Sequence, residues 1–321
     1  MGALTQLAGS GLLSSPMVAQ AGDGGIYVLD QLLNGLSVGA IYAFIALGYT
    51  MVYGIIKLIN FAHGEFFMVG SMVGYFFFEA AGASLGLGAG GAATFAIVLS
   101  MLTAAIVTGL LAVVTERLAY RPLQNASRIA ALLTALGVSI LLQNLAARLF
   151  TAEQKGYPDV LPPAWKTIIV IGSLVIAFTS LMLIVKRTEL GRAMRAVSYN
   201  FETARLMGIE AGRVIAWTFF IGAFCAGVGG VIWGLNYGNA NPFMGAMPGL
   251  KAFIAAVIGG IGSLPGALLG GLLLGVLEVL LVAFLPSEMT GYKDVAAFLA
   301  LIAILTLKPQ GLLGRFEGQK V

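Results

Sequence analysis

Six stretches of this chain carry no charged residue over a length that lets a helix cross a bilayer. They are 31–56 (26 residues), 80–115 (36), 129–147 (19), 167–185 (19), 214–250 (37) and 252–277 (26). About 20 apolar residues in helical form span the hydrocarbon core. Charged residues make up only 10% of the 321 and hydrophobic ones 59%, with mean hydropathy +0.95. A soluble domain carries roughly 25% charged residues, so the chain reads as an integral membrane protein. Barrel strands would alternate over segments of about ten residues, whereas these runs are apolar on every side. The expected fold class is all-α: a polytopic transmembrane helical bundle.

Crossings are placed near 28–54, 60–80, 92–116, 128–149, 167–186, 214–236, 264–285 and 291–308, about eight in all. A shorter apolar piece, 250–261, has too few residues to cross at 1.5 Å per residue. It reads as a re-entrant or broken half-helix, with Gly259, Gly260, Gly262, Pro265, Gly266 and Gly270 supplying packing or a hinge. Such backbone is tolerated at membrane depth only where protein or a water-lined cavity surrounds it. Glycines stand four apart, as helix–helix contacts in lipid require: 35 and 39, 70 and 74, 230, 234 and 238, 262, 266 and 270, 271 and 275.

Three loops concentrate basic charge and therefore read as cytoplasmic. Arg117, Arg121 and Arg128 stand against Glu116. Six basic residues stand against three acids in 186–213, and Lys308, Arg315 and Lys320 against Glu317. Counting crossings back from Arg117 puts the N-terminus outside. The reading is an extracytoplasmic segment 1–25, a membrane domain 26–310 and a cytoplasmic tail 311–321. Ala19-Gln20-Ala21 resembles a cleavage site, but no basic residue precedes Lys57, so a conventional signal peptide is not expected. The basic pI of 9.2 reflects these loops and not nucleic-acid binding. The single cysteine, Cys225, allows neither an internal disulfide nor a thiolate metal site.

The loop 186–213 holds nine of the 32 charged residues in 28 positions. Leu190, Met194, Val197, Phe201 and Ala204 recur at spacings of four and three, one face of a helix. Arg192, Arg195, Tyr199, Glu202 and Arg205 fall on another face, and Gly208 is placed to stop the helix in a left-handed turn. Such a stripe suits a connector lying on anionic lipid or, as preferred here, docking onto a cytosolic partner.

GRAMRAVSYNFETARLMGI within this loop resembles the coupling element of ABC importer permeases, with Glu202, Ala204 and Gly208 matching and Thr203 replacing an expected alanine. NGLSVGAIYAFIALGYTMVYGIIKLINFAHGEFFMVG (34–70), ERLAYRPLQNASRIAALLTALGVSILLQN (116–144) and AVIGGIGSLPGALLGGLLLGVLE (256–278) resemble the branched-chain amino acid permease family, most closely the shorter, LivH-type member of the usual pair. The resemblance covers nearly everything after residue 26. It implies a bacterial inner-membrane importer with a second homologous permease, two cytoplasmic ATP-binding subunits and a periplasmic amino-acid-binding protein. It also implies that Leu190, Arg192, Arg195, Phe201, Glu202, Ala204, Arg205 and Gly208 couple to those ATPases. This chain would bind no cofactor or metal and catalyse nothing, ATP and Mg being used by the partners. Consistent with that, no Lys follows a Gly, so no Walker motif exists.

Polar groups within the apolar runs need a reason, since a charge at mid-membrane costs at least about 2.5 to 3.5 kcal/mol. Glu278, set among Val276, Leu277, Val279 and Leu280, reads as bonding across the bundle or lining the path. Asn60 reads as capping the second crossing with Glu65 in its first turn, or these two and His63 form a cytoplasmic gate. His63, the lone histidine, reads as a packing group. With Asn34 and Ser37, these are the candidate path residues for a zwitterion with an apolar side chain. The loop LNYGNANPF is either a contact for the binding protein or a turn. Two other functions remain open at this point. One is a sister importer for urea or short amides; the other is an autonomous ion-coupled carrier using Glu278 or Glu65.

Overall fold

The computed structural model describes residues 24–85, 90–123 and 126–314. The segment expected at 1–25 and the tail expected at 311–321 fall mostly outside these. Eleven α-helices run through the described residues. They are α1 (Gly24–Ile56), α2 (His63–Leu85), α3 (Gly90–Thr115), α4 (Arg128–Phe150), α5 (Pro163–Arg187), α6 (Glu189–Tyr199), α7 (Phe201–Leu206), α8 (Ala211–Tyr237), α9 (Ala246–Gly259), α10 (Leu264–Phe284) and α11 (Lys293–Leu307). A π-helical turn, Glu116–Tyr120, and a 3-10 turn, Arg121–Leu123, extend α3.

Local chemistry sets the starts. Ser127 Oγ accepts from the Ala130 amide at 3.2 Å and Ser263 Oγ from the Gly266 amide at 3.3 Å, satisfying amides that have no partner within the helix. Pro163 occupies the first position of α5, where its missing N–H costs nothing.

Helices α1, α2, α8, α9 and α10 form the core. Their contact depends on glycine: a Cβ on Gly275 would lie 2.1 Å from the Gly39 amide nitrogen, and one on Gly70 2.5 Å from Gly227 Cα. The backbones of α1 and α10, and of α2 and α8, therefore touch where lipid supplies no hydrophobic drive. Helices α4, α5 and α11 lie outside, with Leu133, Ile176 and Leu299 more than half exposed to the lipid zone.

Seven described helices are long and apolar enough to cross a membrane. Helix α2, also expected to cross, is not among them despite its 23 residues. Ala62, His63, Glu65, Phe66, Phe67, Met68, Val69, Ser71 and Met72 are all buried. Protein rather than lipid solvates this helix, so its polar residues are tolerated. The expected half-helix is α9, beginning four residues earlier than its apolar run suggests and 14 residues long.

The structure corrects two expectations. The stripe from Leu190 to Ala204 is not one helix. Asn200 adopts an extended conformation (φ −155°, ψ 112°), and its Oδ1 accepts from the Thr203 amide at 2.9 Å, ending α6 and capping α7. Gly238 and Gly262 are not helix-contact glycines either, since φ of 69° and 93° puts both in turns. The LNYGNANPF segment contributes β2 (Asn239–Ala240), paired antiparallel with β1 (Lys155–Gly156) between α4 and α5.

Candidate functional site

Three groups of residues stand out: the face expected to dock a partner at one end of the bundle, a polar cluster at the start of α2, and an ion cluster around α9.

The expected docking face is α6 and α7. Thr188 Oγ1 accepts from the Gly191 amide at 3.1 Å and donates to Ile184 O at 2.6 Å, turning the chain sharply out of α5. Met194, Val197 and Ala204 are buried, while Leu190 and Phe201 are half-buried. Arg192, Arg195, Glu202 and Arg205 face outward. Ser198 Oγ donates to Gly54 O at 2.6 Å, tying α6 to the end of α1, and Arg195 Nη1 donates to Val185 O. Gly208 has φ +83° and ends α7. Beside it a cavity of about 420 Å³ is lined by Arg121, Phe201, Arg205 and the 208–212 segment. Arg121 anchors its far wall through Gly212 O at 3.1 Å and Glu116 Oε1 at 3.3 Å. Tyr199, Leu206 and Met207 project from this face with 78–87% exposure. Fixed charges, protruding apolar side chains and an adjoining cavity make a surface suited to a partner protein.

At the start of α2 the polar residues are buried and joined to neighbouring elements. Asn60 lies before the helix, which begins at His63. Its Oδ1 accepts from the Ala62 amide at 3.1 Å and from the Tyr120 hydroxyl at 2.5 Å. Glu65 Oε1 accepts from Ser139 Oγ at 2.9 Å and Gln143 Nε2 at 2.8 Å, both on α4. His63 packs 4.8 Å from the Tyr49 ring and 6.0 Å from Phe66, in centroid distance. Asn34 is exposed, whereas Ser37 is buried with its hydroxyl donating to Leu33 O at 3.0 Å. These two are not brought together with the α2 residues.

Glu278 is not an isolated carboxylate. Tyr42 donates to its Oε2 at 2.7 Å, and Lys251 Nζ lies 2.8 Å from its Oε1. Lys251 also meets Asp294 Oδ1 at 2.6 Å, and Lys293 Nζ lies 3.5 Å from Glu278. This cluster clamps α9 to α1, α10 and α11. Lys251, Tyr42 and Asp294 are absent from the sequence-based candidates. The available signal is that Lys251 alone separates two long uncharged runs, with an acid of opposite sign closing the second.

Below the cluster α9 and α10 meet closely: a Cβ on Gly266 would lie 2.3 Å from Gly259 O, and one on Gly270 2.0 Å from Ala255 O. The intervening turn has φ of 104° at Gly260 and 93° at Gly262, and Pro265 opens α10. Leu312 and Leu313 donate their amides to Ile258 O at 2.8 Å and Gly259 O at 2.9 Å, stitching the chain after α11 to this turn.

A family model described as the branched-chain amino acid transport system / permease component matches residues 31–305. The chain is 41% identical over 310 residues to the high-affinity branched-chain amino acid transport system permease protein LivH of Escherichia coli (strain K12), covering 92% of this chain and 98% of the relative. It is 42% identical over 313 residues to the corresponding permease protein BraD of Pseudomonas aeruginosa, again covering 92% and 98%. It is 26% identical over 289 residues to a probable branched-chain amino acid transport permease protein LivH of Methanocaldococcus jannaschii, covering 84% and 87%.

Proposed function

Because this chain belongs to the family of branched-chain amino acid transport permeases, we propose that it carries leucine, isoleucine and valine inward as a membrane-spanning subunit of an ATP-driven importer. The observation that carries this reading is the match along nearly the whole of both chains to LivH and BraD. A second homologous permease, two cytoplasmic ATP-binding subunits and a periplasmic binding protein complete the assembly. ATP and Mg are used on the ATPase subunits. The end of the bundle with α6 and α7 faces the cytoplasm, and the N-terminus lies outside.

In this reading α6 and α7 take up the movement of the ATPase pair, with Leu190, Arg192, Arg195, Phe201, Glu202, Ala204, Arg205 and Gly208 as the coupling residues. Movement of α6 reaches α1 through Ser198 and Gly54, and α5 through the turn at Thr188. The glycine turn at 260–262 with Pro265, Gly266 and Gly270 lets α9 shift against α10. Asn34, Ser37, Asn60, His63, Glu65 and Glu278 supply the sparse polar groups of the path.

The test is to tag the chain in its native host, purify it in mild detergent and measure ATPase subunits retained and leucine uptake in the same cells. ATPase subunits should accompany the parent chain, and Glu202→Lys should lose both them and uptake while still inserting. A parent chain that purifies alone, together with proton-driven uptake abolished by Glu278→Gln, would replace this reading by an ion-coupled carrier.

A further inference from the structure

The outward faces of the peripheral spans differ in kind. Helix α3 turns large apolar side chains outward, Phe95, Leu102, Ile106 and Leu110 among them, and α11 does the same with Phe298, Leu299 and Ile302. Thr179 and Ser180 on α5 and Thr306 on α11 are exposed too. A helix can satisfy such hydroxyls with its own carbonyls, as Thr306 does with Ile302 O at 2.9 Å. Helix α4 is built otherwise. Gly137, Ile140, Leu141 and Asn144 are exposed on one side of it, at spacings of three, one and three.

Asn144 is a group that lipid cannot satisfy. It lies six residues before the end of α4 at Phe150, about 9 Å inside the apolar span at helical rise. Its Nδ2 donates to Ile140 O at 2.8 Å. An amide has two donors and an acceptor, so one N–H and Oδ1 stay open among the described residues, and hydrocarbon offers a partner to neither. Gly137, two helical turns away on the same face, would have nothing within 4 Å of a Cβ. A small residue near an amide lets helix backbones close up and hydrogen-bond in lipid.

We propose that this face of α4 is where the second permease subunit packs. The inference rests on the importer reading above. In that assembly the ATPase subunits and the binding protein sit outside the bilayer, so the second permease is the protein partner available at the depth of Gly137 and Asn144. Homologous subunits that meet about a near-two-fold axis present the same patch to each other. An amide, donor and acceptor in one group, pairs with another across such an axis. The opposite side of α4 carries Ser139 and Gln143, which donate to Glu65 Oε1 at 2.9 and 2.8 Å. The contact between permeases therefore backs onto Glu65, a candidate path residue.

The test is photo-crosslinking of the full chain in native membranes, with a benzophenone amino acid in place of Ile140 or, for comparison, of Leu102 on α3. Position 140 should give an adduct whose peptides identify a homologous permease, and position 102 adducts with lipid alone. Gly137→Leu supplies a second measurement, since a Cβ there meets nothing within 4 Å and the chain itself should fold. That variant and Asn144→Leu should each retain about tenfold less of the second permease through purification, whereas Asn144→Gln, which keeps the amide, should retain it. Suppose the second permease accompanies the parent chain, yet position 140 captures only lipid or another copy of this chain, or the folded Gly137→Leu variant keeps its partner. The assignment of this face is then overturned while the importer reading stands. A parent chain that purifies with no permease partner overturns both.

Discussion

Lys251 on α9 and Glu278 on α10 form a buried ion pair, Nζ to Oε1 at 2.8 Å, with each side chain only 10% exposed. Removing one partner of such a pair leaves an uncompensated charge and costs about 3–5 kcal/mol, whereas replacing both with apolar residues is close to neutral. Lys251→Met should therefore lower the melting temperature of the detergent-solubilised chain strongly, and Lys251→Met/Glu278→Leu should recover most of the loss. Asp294, with a third of its side chain exposed, can turn to water when Lys251 is gone. A double variant as unstable as the single one would refute the pairing as the source of the stability.

Glu65 holds α4 to the core. Glu65→Ala strands the half-buried Ser139 hydroxyl and Gln143 amide, each at a cost of up to about 1 kcal/mol. Deuterium exchange across Arg128–Phe150 should rise, while Glu65→Gln, which keeps the Oε1 acceptor, should stay near the parent. Unchanged exchange in the alanine variant would show that apolar contacts alone seat α4.

Gly208 carries φ +83° with open space where a Cβ would sit. The penalty for a substitution is thus backbone strain, roughly 1–2 kcal/mol for a non-glycine residue held left-handed. Gly208→Val should abolish leucine uptake with normal membrane insertion, and Gly208→Asn, which tolerates this conformation better, should retain part of it. Full uptake by the valine variant would remove Gly208 from the coupling element.

Two glycines separate packing from propensity. Gly275→Ala places a methyl 2.1 Å from the Gly39 nitrogen and should force α1 and α10 apart, seen as loss of folded protein by size-exclusion chromatography. Gly172→Ala on α5 meets nothing within 4 Å and should be neutral or stabilising by up to about 1 kcal/mol, read as melting temperature.

The long helices are legible in the sequence because lipid demands uninterrupted apolar length, and α2 is legible with them although protein takes the place of lipid around it. The docking face is legible as a stripe, but its break is not: Leu190, Met194, Val197, Phe201 and Ala204 keep helical spacing straight through Asn200. Local periodicity carries no mark of one side chain choosing to cap the next helix. The partners of Glu278 and Glu65 escape for a different reason. Tyr42 and Glu278 are 236 positions apart, Glu65 and Gln143 78, and no window on a single chain pairs them.

The amides of Leu312 and Leu313 reach back to the carbonyls of Ile258 and Gly259. During synthesis the chain emerges from its N-terminus, so α9 and its turn are made some fifty residues before the groups that satisfy them. The turn at the base of α10 is thus among the last parts of the protein to be completed. Translation halted between Leu307 and Gly311 would yield every helix yet leave that turn open, a nearly finished product that a protease could still tell from a finished one.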